Sequence, residues 1–245
     1  MALGRVMLTI LAPMLVAVTA SGCETNAERS AALERTAHSH AVARQTGVTV
    51  GKQNPAVQVV ETVAVQGEGR TAVVVTLRNI SSQTLRDAPI EITVKGAGGK
   101  VAYQNSTPGL APSLTAVALL EPGTQTVWID DQVQTTGAAL GVSARVGQAP
   151  SAPGPTPQLS VGGVHSFEEP GSGEGAEGTV TNHSTVTQQE LVVYVLARRG
   201  ARVVAAGRAL LPELAAGQSA PFQAYLIGSL KGAKLEASAP PTTLG

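Results

Sequence analysis

The sequence predicts an all-β protein built from two copies of one β-sandwich. Three observations point there. Hydrophobic residues make up 43% of the 245-residue chain but aromatics only 2%, so the apolar content is mostly valine, alanine and leucine. The 27 glycines and 15 prolines cut these stretches into short pieces, and valine-rich runs bounded by turn residues read as strands. Finally, strand, turn and hairpin features of the first half recur in the same order in the second, at an offset of about 100 residues.

The chain opens with Arg5, an apolar run from Val6 to Thr19, and then Ala20-Ser21-Gly22-Cys23. A basic start, a short apolar stretch and small residues before a cut site describe a secretion signal over residues 1–22. The run is shorter than the ~20 residues that a spanning helix needs. Cys23 is the only cysteine. Ala20-Ser21-Gly22-Cys23 resembles a bacterial lipobox, with Ala20 where a larger aliphatic is usual. The resemblance implies that Cys23 becomes the lipidated first residue of the mature protein. With no second cysteine there is no intramolecular disulfide, so the fold rests on hydrophobic burial.

Residues 23–54 read as the lipidated cysteine and a tether. The stretch from Asn26 to Gln45 is alanine-rich with good helix formers, but Leu33 is its only large apolar residue. It reads as a partly helical or disordered stalk. The first sandwich is expected over residues 55–147. Its strands are the segment from Val57 to Val65, Thr71 to Leu77, Ala88 to Val94, Val101 to Tyr103, Leu114 to Leu120, Val127 to Ile129, and Ala139 to Val146. Ile90, Ile92 and Val94 alternate onto one face, and Gly96 to Gly99 makes a hairpin tip. Residues 148–157 (QAPSAPGPTP) contain four prolines. Proline fixes φ and lacks an N–H, so this run is expected to be a stiff linker outside any sheet.

The second sandwich is expected over residues 158–240. Gly178 to Ser184 matches Thr76 to Ser81 in type: a strand, an asparagine, a spacer, a serine. Leu191 to Leu196 stands where Ile90 to Val94 stood, and Arg198-Arg199-Gly200 replaces the first hairpin tip. Leu214-Ala215-Ala216-Gly217 followed by Phe222 parallels Leu120-Glu121-Pro122-Gly123 followed by Val127. The layout from Gly178 to Phe222 resembles the FxLYD-type domain of secreted bacterial lipoproteins. Tyr194-Val195-Leu196-Ala197-Arg198 stands at the motif that names the family, with Tyr for Phe, Ala for Tyr and Arg for Asp. The resemblance implies two tandem immunoglobulin-like β-sandwiches on the outer side of a membrane, and no enzymatic activity.

Few residues invite a chemical role. His38 and His40 could grip a metal weakly, but they fall in the tether. His183 reads as a turn residue and His165 as a strand residue. Asp130 and Asp131 follow the single tryptophan, Trp128, at a strand end; two adjacent acids offer too few oxygens for Ca²⁺, so a structural strand end is the expectation. Trp128 reads as a packing anchor. Glu168, Glu169, Glu174 and Glu177 interleave with glycine and read as a solvated, flexible loop. Arg198, Arg199 and Arg202 form a charged tip that could meet anionic lipid. Asn79, Asn105 and Asn182 fit the N-glycosylation pattern but are better explained by turn chemistry. There is no Gly-x-Ser-x-Gly elbow.

The expectation is therefore a non-catalytic lipoprotein with a binding or scaffolding role at the cell surface. Cys23 anchors it to membrane lipid on the extracytoplasmic side. No metal or cofactor is expected. The partner is a surface or envelope protein and not nucleic acid, because the formal net charge is zero. The alternatives are a secreted hydrolase with a loop-borne site and a passive spacer.

Overall fold

A computed structural model describes residues 47–245 except 68 and 172. The leader, Cys23, His38, His40 and most of the expected tether lie outside the described residues. The first unit has seven strands: β1 (Val57–Gly67), β2 (Arg70–Asn79), β3 (Leu85–Lys95), β4 (Val101–Gln104), β5 (Ala116–Leu120), β6 (Gln125–Val133) and β7 (Gly141–Val146). The second unit also has seven: β8 (Leu159–Glu169), β9 (Gly173–Asn182), β10 (Gln188–Arg199), β11 (Arg202–Leu214), β12 (Ser219–Tyr225), β13 (Ile227–Gly228) and β14 (Lys234–Ser238).

These strands form four antiparallel sheets, two per unit. One sheet of the first unit runs β1-β2-β6, and β8-β9-β12 is its counterpart. In the other sheet β3 pairs with β7 on one edge and with β4 and then β5 on the other. Its counterpart runs β13-β11-β10-β14. The long β11 thus does in one piece what β4 and β5 do in two.

The repeat extends to irregularities. The β3–β4 pairing slips between Val94 and Lys95, and the β10–β11 pairing between Ala197 and Arg198. The β1–β2 pairing slips between Val59 and Glu61, and the β8–β9 pairing between Gly162 and His165. Such bulges bend a strand and re-aim its side chains. Each unit also has an asparagine corner. Asn79 donates to the carbonyls of Gln83 (2.7 Å) and Leu120 (2.9 Å), and its Oδ1 accepts from the Ser81 N–H and hydroxyl. Asn182 donates to the carbonyls of Val186 (2.8 Å) and Leu214 (3.2 Å), and accepts from the Ser184 N–H and hydroxyl. Both asparagines are fully buried, and Asn105 is a third. Its amide accepts from the Ile92 N–H and donates to the Ile90 and Leu114 carbonyls. The sequons are therefore structural joints, as turn chemistry suggested.

The two units share a core. Val192, Tyr194, Leu196, Val203 and Ala206 of the second unit pack in one cluster with Val73, Val75, Trp128 and Ile129 of the first. The intervening residues Leu191, Val193, Val195 and Ala197 point into the second unit's own core, with Val180 and Phe222. This explains the uninterrupted buried runs Ala72 to Val75 and Leu191 to Ala197: a strand covered on both faces loses its polar alternation. Close approach at Gly67 and Gly228 completes the contact. A Cβ on Gly67 would lie 2.8 Å from the Gly228 nitrogen, and Gly228 itself has φ 120°, a region that favours glycine.

Three local expectations need correction. The proline-rich run does reach a sheet: Arg86 N–H donates to the Pro150 carbonyl, Ala152 N–H donates to the Thr84 carbonyl, and Ser151 bridges Leu85. Proline lacks a donor but keeps its acceptor. The last residues of the expected tether are docked. Val50 is buried and donates its N–H to Glu91, and Asn54 N–H donates to the Val146 carbonyl. Finally, the four glutamates at 168–177 lie on a β8–β9 hairpin rather than a solvated loop. Glu169 accepts from the Tyr225 hydroxyl, and Glu174 accepts from the Leu230 N–H at 3.0 Å.

Candidate functional site

One cleft between the units is built where the repeat is least regular. In the first unit the chain between β4 and β5 turns back through a short 3-10 turn, Pro112–Leu114. Buried Asn105 holds this excursion by bonding the Leu114 carbonyl. Trp128, fully buried, donates its indole N–H to the Ser113 carbonyl at 2.9 Å. The excursion stands as one wall of a cleft of about 260 Å³. Val117 of β5, and Val192, Tyr194 and Leu210 from the second unit, supply its apolar lining.

The opposite wall is the C-terminal tail. Gln188, fully buried, accepts the Thr242 and Thr243 N–H groups and donates to the Thr243 carbonyl. One side chain thereby imitates a strand partner and straps Pro240 to Thr243 along the cleft. Thr242 donates its hydroxyl to the Gln189 carbonyl.

Asp87 and Glu190 also line this cleft. They are the only non-glycine residues with positive φ among the described residues, and each has φ 49°. Each lies in the same position of its unit, near the start of β3 and of β10. A left-handed backbone costs such a residue of the order of 1–3 kcal/mol. Both carboxylates are exposed, whereas Tyr194 is only 5% exposed. The Tyr194 hydroxyl has no hydrogen-bond partner among the described residues, and burial pushes its pKa upward, so it stays protonated.

Beside the cleft lies a charged joint between the units. Arg208 donates Nε to Asp131 at 2.8 Å and Nη1 to the Ser113 hydroxyl at 3.0 Å. Its side chain is 2% exposed, against 18% for Asp131. Asp130 points the other way, into the first unit. It accepts from the Tyr103 hydroxyl at 3.0 Å and from the Gln132 N–H at 2.9 Å. Burial raises its pKa to about 6 against those hydrogen bonds.

The two adjacent acids thus take different partners, Asp130 inside the first unit and Asp131 across the joint. No grouping of three or more His, Cys, Asp or Glu suited to a metal occurs among the described residues. Trp128 is a packing anchor, as expected. At the arginine tip Arg198 is paired with Glu236 and, at 3.7 Å, with Glu61 of the first unit, while Arg199 donates to the Lys231 carbonyl. Two of the three arginines expected at a free surface are therefore committed to the fold. His165 pairs with Glu177 at 2.8 Å across β8 and β9, and its pKa is raised first by the Gly163 carbonyl and then by Glu177. His183 sits against the Ser160 hydroxyl at 2.7 Å. The reading of the sequence missed Asp87, Glu190 and Gln188. The repeat held the signal for the two acids, since each follows its corner asparagine at the same distance.

No protein-family model matches the sequence, and no curated protein sequence matches it. Among solved structures, an exo-chitosanase from Amycolatopsis orientalis, CsxA, aligns over 75% of this chain at 14% identity and a TM-score of 0.28. The chain spans 26% of that protein's length. The chain is all-β, with four antiparallel sheets among the described residues.

Proposed function

We propose that this chain is a membrane-anchored, extracytoplasmic lipoprotein with a non-catalytic binding role. The observation that carries the reading is the position of its sole cysteine, Cys23, at the end of a short secretory leader. Two or more acyl chains on one cysteine anchor durably where one would not. The anchored residue precedes the first docked residues of the body, Val50 and Asn54, by a stretch long enough to act as a stalk. The paired sheets of each unit and their matched corners support immunoglobulin-like sandwiches of the FxLYD type. The cleft supports binding over a passive spacer, because a spacer needs no concavity between its units.

Replacing Cys23 with serine tests the anchor. The protein should move from the membrane fraction to the soluble fraction, and the acylated N-terminal peptide should vanish from its mass spectrum. Retention of the variant in membranes would count against the reading.

A further inference from the structure

We propose that the cleft between the two units binds a primary alkylammonium group, carried by a small amine or by a lysine side chain. The walls, the lining and the rim each contribute. Val117, Val192 and Leu210 offer an apolar floor for an aliphatic stem. Asp87 and Glu190 put two carboxylates at the rim, and such groups select a cation over an anion. Tyr194, 5% exposed as a residue, lies in the same lining, and its hydroxyl has no hydrogen-bond partner among the described residues. Its oxygen can accept an ammonium N–H inside the cleft, and the rim carboxylates supply the countercharge. A volume of about 260 Å³ suits a small group and excludes a folded segment.

Both rim acids adopt the left-handed conformation near the start of otherwise extended strands. That conformation breaks strand alternation twice, at related positions, and both breaks face one cavity. The nearest buried cation, Arg208, is already matched by Asp131 and does not offset the rim charge.

This proposal does not depend on lipidation, and its test leaves the anchor intact. Calorimetric titration of the full chain in neutral detergent should show saturable binding of n-pentylammonium and none of pentanoate. Asp87→Asn and Glu190→Gln should each weaken binding about threefold. Both residues are exposed, and asparagine tolerates the left-handed region, so these variants should keep the wild-type melting temperature. Tyr194→Phe should weaken binding as well. Nα-acetyl-lysine methylamide serves as the second ligand: binding comparable to pentylammonium assigns the site to lysine side chains, and weaker binding assigns it to free amines. Equal binding of pentanoate, no binding of either amine, or undiminished affinity in the Asp87→Asn/Glu190→Gln double variant would overturn the proposal.

Discussion

The two units are copies in topology but differ in how the strand after their main hairpin is used. In the second unit β11 runs unbroken from Arg202 to Leu214. In the first unit the same path is split into β4 and β5, and the chain between them leaves the sheet. The regular copy spends its strand on pairing and presents Val203, Ala206 and Arg208 to its neighbour. The interrupted copy uses the excursion to build a wall, with Asn105 and Trp128 holding it in place. The comparison teaches that the corners define the repeat while the break in one copy makes the cleft.

The sharpest way to break this pairing is at the charged joint. Asp131→Ala strands the Arg208 guanidinium in a buried site, and loss of one partner of such a pair costs about 3–5 kcal/mol. Chemical denaturation should show that loss. Replacing both residues with apolar ones of similar volume should restore most of the stability. A double-variant cost equal to the sum of the single costs would mean that the contact does not couple the units.

Asp130 gives the first unit a pH response set by burial. Its folded pKa of about 6 lies above the ordinary value of 3.8, so folding favours the protonated acid. That stabilisation is complete below about pH 4 and lost as pH rises through about 6. Its span is of the order of 3 kcal/mol. Asp130→Asn should flatten that part of the stability profile. Glu91 acts with the opposite sign. Burial opposes its ionisation, but the Arg145 and Val50 hydrogen bonds prevail and lower its pKa, so its contribution is lost as pH falls. Subtracting the variant's profile from the wild type isolates Asp130; a profile unchanged between pH 4 and 6 would contradict this assignment.

Asn79→Ala and Asn182→Ala test the equivalence of the corners. Each removes a fully buried amide that joins a turn to the opposite sheet, at a cost of about 2 kcal/mol. Similar costs would support one design used twice; a cost confined to one unit would break the equivalence. The smallest effect is at Thr76, whose buried hydroxyl has no partner among the described residues. Thr76→Val should be neutral or stabilising by about 1 kcal/mol, read as a small rise in melting temperature.

Much of this architecture was legible in the sequence, and the parts that were not have physical reasons. Ile90, Ile92 and Val94 showed their face by alternation, and the Asn-x-Ser pairs with Gly123 and Gly217 showed the repeat. The run Leu191 to Leu196 was placed as a strand by its match to Ile90 to Val94, but nothing in it told what covers its second face, because apolar side chains do not name their neighbour. The proline-rich run hid its contribution because carbonyl acceptors are independent of residue type. Asp87 and Glu190 drew no notice: a left-handed backbone leaves no mark on a non-glycine residue, and only their equal spacing from Asn79 and Asn182 could have paired them. Arg198 looked free because its partners lie far along the chain, Glu236 on β14 and Glu61 in the other unit.

Native-state hydrogen exchange tests most directly whether the units form one body. β2 and β10 both contribute to the shared core, so their slowest amides should open with the same free energy and respond together to Asp131→Ala. Amides of β10 that stay fully protected while those of β2 exchange would show two independent sandwiches and contradict the account.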